Sequence, residues 1–123
     1  MNRRIICLCG STRFKEAFEN ANKNFTSSGA IVLSVGWFGH LDPEPLSKEQ
    51  KKDLDELHLD KIRMADEVIF LNVGGYLGES SLRELKFCVE NNKIVWMLNP
   101  DKVPLEAQKI LESYTYYASK YKH

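Results

Sequence analysis

An excess of charge of either sign is missing from this 123-residue sequence. Seventeen Lys+Arg residues are matched by 17 Asp+Glu, for a formal net charge of zero. Without a basic excess, neither nucleic acid nor an anionic membrane surface is indicated as a partner. No apolar run approaches the ~20 residues that span a bilayer. Arg3 and Arg4 precede a short apolar run, but Ser11-Thr12-Arg13 cuts it off, so a strand is expected there and not a signal peptide. Cysteine is scarce and odd in number: Cys7, Cys9 and Cys88, all in apolar surroundings. Buried free thiols are expected in place of a disulfide framework, with a reducing cytoplasm as the compartment. Cys7 and Cys9 form C-x-C, but no second Cys/His pair stands at zinc spacing, so no metal or cofactor is implied. The Gly-Lys-Ser/Thr of a Walker loop and the three glycines of a dinucleotide fingerprint are absent too.

What is present fits one globular domain over residues 1–123, with 43% apolar and 28% charged residues. Arg4 to Cys9 is expected to be a short strand closed by Gly10. Phe14, Ala17, Phe18, Ala21 and Phe25 then recur at helical spacing up to Ser27-Ser28-Gly29. Ala30 to Val35 is expected to be a second buried strand, followed by an irregular loop from Gly36 to Pro45. Ser47 to Ala65 is expected to be a helix, opened by a Ser47-x-x-Gln50 capping box. Asp66 to Val73 is the third strand, Ser81 to Asn92 the third helix, Lys93 to Leu98 the fourth strand, and Leu105 to Tyr121 a last amphipathic helix. Apolar strands alternating with helices predict an α/β fold, a parallel sheet of about four strands covered on both faces. Right-handed crossovers bring three loops to one sheet edge: Gly10–Arg13, Gly36–Pro45 and Gly74–Ser80. The tyrosines of the last helix are expected to pack on the sheet or on a second copy, giving a homodimer or higher homo-oligomer.

Three groups of residues have chemical potential. Gly10-Ser11-Thr12-Arg13, between a strand and a helix, suits an anion cradle of backbone N–H groups with Arg13 adding a bidentate contact. A plain Ser/Thr N-cap explains it equally well. In the third helix, Glu84 borders the face carrying Leu82, Leu85, Cys88 and Val89, while Glu79 falls on the other flank. Glu84 there is either a reacting carboxylate or one half of a Ser81-x-x-Glu84 capping box. In the second helix, Leu54, Leu57, Ile62, Met64 and Ala65 make an apolar arc that encloses His58 and Lys61, with Asp60 and Asp55 outside its edges. His58 is either a hydrogen-bonded core residue or a proton shuttle near a carboxylate.

Cys9-Gly10-Ser11-Thr12-Arg13, Ala65-Asp66-Glu67-Val68 and Glu84-Leu85-Lys86-Phe87-Cys88 together give residues 4–98 a resemblance to the nucleoside 2-deoxyribosyltransferase-like superfamily, which includes 2′-deoxynucleoside 5′-monophosphate N-hydrolases. The resemblance implies a three-layer α/β/α, flavodoxin-like or Rossmann-like fold and a small-molecule nucleoside or nucleotide substrate. It implies that Gly10, Ser11 and Arg13 hold the phosphate and that Glu84 is the nucleophile at the anomeric carbon. Gly75, Glu79, Ser80 and Ser81, at the start of the third helix, would then bind substrate, with Trp37 or Phe38 stacking on the base. Cys7 stands where members often have a tyrosine. The aspartate that members carry in the second helix maps to His58 when counted back from Ala65-Asp66, and to Asp60 when counted from Glu84. Two other functions remain open: a nucleotide-binding or sensing module without turnover, and a cytokinin-type phosphoribohydrolase, whose glycine-rich loop Gly74-Gly75-x-x-Gly78-Glu79 resembles in part.

Overall fold

The computed structural model describes residues 2–38 and 44–118. Its elements alternate as expected. They are β1 (Ile5–Cys9), α1 (Lys15–Ser27), β2 (Ile31–Leu33), α2 (Lys48–Met64), β3 (Glu67–Phe70), α3 (Glu79–Glu90), β4 (Ile94–Met97) and α4 (Leu105–Leu111). The four strands form one parallel sheet in the order β2-β1-β3-β4, the order of a flavodoxin-like or Rossmann-like α/β fold. No helix among the described residues is long and apolar enough to cross a membrane.

The pleat of β1 divides the molecule. Successive side chains on a strand point to opposite faces. Ile6 and Leu8 therefore join Phe18 and Phe25 of α1 and Ile69 of β3 in one core. Cys7 and Cys9 point the other way, into a larger core with Ile62 of α2, Leu85 and Cys88 of α3, and Ala107 and Leu111 of α4. α1 thus covers one face of the sheet, and α2, α3 and α4 the other.

Several elements depart from expectation. β2 is an edge strand, exposed to half-buried, because only β1 flanks it. The arc expected on α2 is rotated: Leu54, Leu57 and Met64 are exposed, and the buried line is His58, Ile62 and the cap residue Ala65. His58 is buried as expected. Lys61 carries its ammonium to the Ser34 carbonyl at 2.7 Å, a lysine snorkelling over the core edge. The Ser47–Gln50 capping box is formed in both directions, at 3.0 and 3.1 Å.

The last helix is much shorter than predicted. α4 ends at Leu111, and Ser113 takes a left-handed φ of 63° that turns the chain back. The Tyr114 hydroxyl donates to the Lys93 carbonyl at 2.6 Å. The segment beyond it bonds to the open edge of β4: Val95 N–H donates to the Tyr116 carbonyl, and Ala118 N–H to that of Val95, each at 2.9 Å. Aromatic residues suit a strand, and an open sheet edge offers unpaired backbone groups that a helix would have left bare. Tyr121 lies outside the described residues.

Candidate active site

The turn after β1 is built first. Gly10 has φ of 151°, which L side chains rarely adopt, and a Cβ there would lie a tight 3.2 Å from the Leu71 carbonyl oxygen, so glycine suits the close approach of β1 to the end of β3. Phe14 N–H donates to the Ser11 carbonyl, and Arg13 N–H reaches the Ser11 hydroxyl at 3.3 Å. α1 begins only at Lys15 without a side-chain cap, so Ser11 and Thr12 close a turn and do not cap the helix. The Arg13 guanidinium lies 4.5 Å from the centre of the Tyr76 ring, which also meets Phe14 edge-on. Arg13, Phe14 and Lys15 line a depression of about 420 Å³ together with Val73.

The loop after β3 is held by Asn72. This fully buried side chain donates to the Asn99 and Lys102 carbonyls and accepts from Asn99 N–H, and the Asn99 side chain donates back to the Asn72 carbonyl. Gly75, at φ of 88°, passes so near Lys102 that a Cβ would lie 2.8 Å from its carbonyl oxygen. Close packing of two loops is therefore sufficient reason for this glycine.

α3 starts at Glu79 with Gly78 as N-cap and no side-chain cap. Ser81 is thus inside the first turn, three residues past the capping position. The Ser81–Glu84 capping box does not form, and Glu84 is released for other contacts. Glu84 lines a cleft of about 260 Å³ between α2 and α3. Asp55 and Leu59 of α2 form one wall, and Ser80, Arg83 and Phe87 of α3 the other. Arg83 donates to the Ser80 hydroxyl at 3.2 Å and approaches Asp55 at 3.8 Å.

Behind Glu84 lies a buried polar cluster. His58 Nε2 is 3.3 Å from Cys9 Sγ and 3.8 Å from Cys7 Sγ. The Glu84 carboxyl feels the charge of His58 and of Cys7. Burial pushes Glu84 up to about 7, with His58 pulling it back. Burial presses His58 down, but its bond to Cys7 and the charge of Glu84 outweigh this and raise it. Cys7 is lowered to about 6, first by its bond to Cys9 and then, against burial, by His58. Burial raises Cys9 and Cys88. Glu84 thus has one side toward solvent and the other toward three titratable groups, an arrangement that suits a reacting carboxyl.

The other predicted residues are distributed around this centre. Ser80 shares the cleft with Glu84; Ser81 is buried beside it on α3. Glu79 is exposed at the helix start, and Asp60 is exposed and paired with Arg63. Trp37 is half-buried, and Phe38 packs edge-on against Phe18 on the α1 face. Gly10, Ser11, Arg13 and Gly75 do not line the Glu84 cleft. Residues 39–43 of the aromatic loop, His40 included, lie outside the described residues.

Asp55 and Cys9 acquire significance only in the fold. Asp55 stands one helical turn before His58, and C-x-C on a strand puts both thiols on one face; these were the available signals. A scan against models of known protein families and a search of curated proteins both return no match for this chain.

Proposed function

We propose that this protein cleaves or transfers the N-glycosidic bond of a (deoxy)nucleoside or its 5′-monophosphate, with Glu84 as the attacking carboxylate. The observation that carries this is the position of Glu84: freed from capping, open to the α2–α3 cleft, and backed by His58. The ionised carboxylate forms an ester bond to C1′ as the C1′–N bond breaks, and the base leaves with the bonding electrons and takes up a proton. Water, or the nitrogen of another base, then breaks the ester, as in a retaining glycosidase. His58 is a positioning residue: its positive charge favours the ionised form of Glu84 against burial. Asp55, on the facing wall, is the second carboxylate for activating the incoming group. Leu59 and Phe87 give the base apolar walls, and Ser80 offers the sugar a hydroxyl. Arg13 and Lys15, which line a separate depression at the start of α1, carry positive charge of the kind that a 5′-phosphate would seek.

The test is release of free base from a panel of nucleosides and nucleoside 5′-monophosphates. The wild type should release base from at least one member, and Glu84→Ala should lose this by about 10³-fold or more. Equal release by both proteins would reduce Glu84 to a bystander. A second function, nucleotide sensing without turnover, is favoured by the burial of His58 among thiols, out of the cleft where an acid would meet substrate. Binding of a panel member without release by either protein would establish it.

A further inference from the structure

Beneath the cleft, Cys7, Cys9 and His58 gather from two elements distant in sequence. Their ligand atoms, Cys7 Sγ, Cys9 Sγ and His58 Nε2, all lie within 4.8 Å of one another, and all three residues are buried. A tetrahedral zinc ion has Zn–S bonds of about 2.3 Å and Zn–N bonds of about 2.0–2.1 Å, which sets S···N separations near 3.5 Å. The observed 3.3 and 3.8 Å bracket that value. Hydrogen-bonded thiols alone require no such convergence of three soft donors on one point.

We propose that Cys7, Cys9 and His58 bind one thiophilic divalent cation of the Zn²⁺ class, with a water completing the tetrahedron. Binding forms two metal–sulfur bonds and one metal–nitrogen bond and displaces the two protons that the group carries beyond two thiolates and a neutral imidazole, with no change of oxidation state. Two thiolates and a neutral imidazole balance the dication, so the buried site gains no net charge, which is the condition for placing an ion in a core. β1 supplies the thiols on one face through its two-residue repeat, and α2 supplies the imidazole through its inward line of His58 and Ile62. The site has softer donors than calcium or magnesium take, so those ions should not compete.

The proposal does not depend on glycosidic chemistry, and its test reads metal directly. Protein reduced and stripped with a chelator is titrated with Zn²⁺, and separately with Co²⁺ as a spectroscopic probe. The wild type should take up one equivalent, show thiolate-to-cobalt charge transfer with the ligand-field bands of a tetrahedral ion, and have two of its three thiols protected from a thiol reagent by Zn²⁺. Cys9→Ala and His58→Ala should each weaken Zn²⁺ binding beyond the 10–100-fold typical of outer-shell changes. Cys88→Ala, which removes a buried thiol from α3 outside the donor set, should leave stoichiometry and spectrum intact. Thiol protection in the wild type settles the matter even where a variant fails to fold. Absence of stoichiometric uptake by the folded, reduced wild type would overturn the proposal. So would an unchanged cobalt spectrum in folded Cys9→Ala or His58→Ala. Zn²⁺ uptake with unchanged base release in Glu84→Ala would sink the glycosidic mechanism alone, and loss of base release without Zn²⁺ uptake would sink the metal site alone.

Discussion

Ile6 and Leu8 face one side of the sheet, Cys7 and Cys9 the other, and the two sides have different contents. On the α1 side the strand meets Phe18, Phe25, Ile69 and Leu71, and the buried carboxylate there, Glu67 at the start of β3, is held by Arg4 and Trp96. On the α2–α3 side the same strand meets His58, Glu84 and Cys88 as well as Ile62 and Leu85. Burial of hydrocarbon stabilises a fold directly, whereas burial of titratable groups costs free energy unless each finds a partner. No described buried side-chain nitrogen or oxygen lacks a hydrogen bond, and the Cys7 and Cys9 thiols lie within 3.8 Å of His58 Nε2. One face stabilises the scaffold, and the other holds the chemistry beside the cleft.

The largest effect that can break this contrast lies on the hydrocarbon side. Phe18→Ala should lower the unfolding free energy by about 3–5 kcal/mol, the usual cost of emptying a buried aromatic site. In denaturant titrations it should do so without altering the reactivity of Cys7 and Cys9 in the remaining folded protein. Altered thiol reactivity would show that the two faces are coupled.

The next prediction concerns the other face. The Glu84 carboxyl is held at about 7 when folded, against an ordinary value of 4.5. The folded state therefore binds this proton more tightly than the unfolded chain, and the associated stability is fully present below about 4.5 and lost as pH rises through about 7. Glu84→Gln cannot lose it. In urea titrations of chelator-treated protein, the variant should gain on the wild type between these pH values and hold a constant advantage above them. A difference independent of pH would place Glu84 in water.

The smallest effect is expected at the surface. Asp60→Ala breaks an exposed pair with Arg63 and should change stability by no more than about 0.5 kcal/mol, with base release unaltered. Loss of release on this substitution would move the second-helix acid from His58 to Asp60 and reopen the site.

Much of the fold is legible in the sequence because its strands are short apolar runs and its helices carry periodic apolar faces. The Ser47-x-x-Gln50 box marked the start of α2 correctly, and the inward position of His58 followed from helical phase. Phase misled where hydrophobicity and burial part company: Leu54, Leu57 and Met64 look like core but are exposed, because α2 lies on the sheet along its His58–Ile62 line. The Tyr-rich C-terminal stretch carries a helical pattern, yet the open edge of β4 captures it. Capping boxes also illustrate the limit. Ser81-x-x-Glu84 has the same form as Ser47-x-x-Gln50, but the chain enters α3 three residues earlier, through Gly78, and only the fold decides between them. The thiol–imidazole cluster was hidden for a similar reason. Its donors are separated by about fifty residues, and their meeting depends on which face of β1 α2 covers.

The most direct test of the reacting carboxyl is to trap the covalent intermediate. Protein mixed with the nucleotide that it turns over, quenched in acid within a single turnover and mapped by peptide mass spectrometry, should carry a glycosyl ester on Glu84. The ester should be absent from Glu84→Gln. Base release at the full wild-type rate by Glu84→Gln, or an ester mapped to any other residue, would contradict the account.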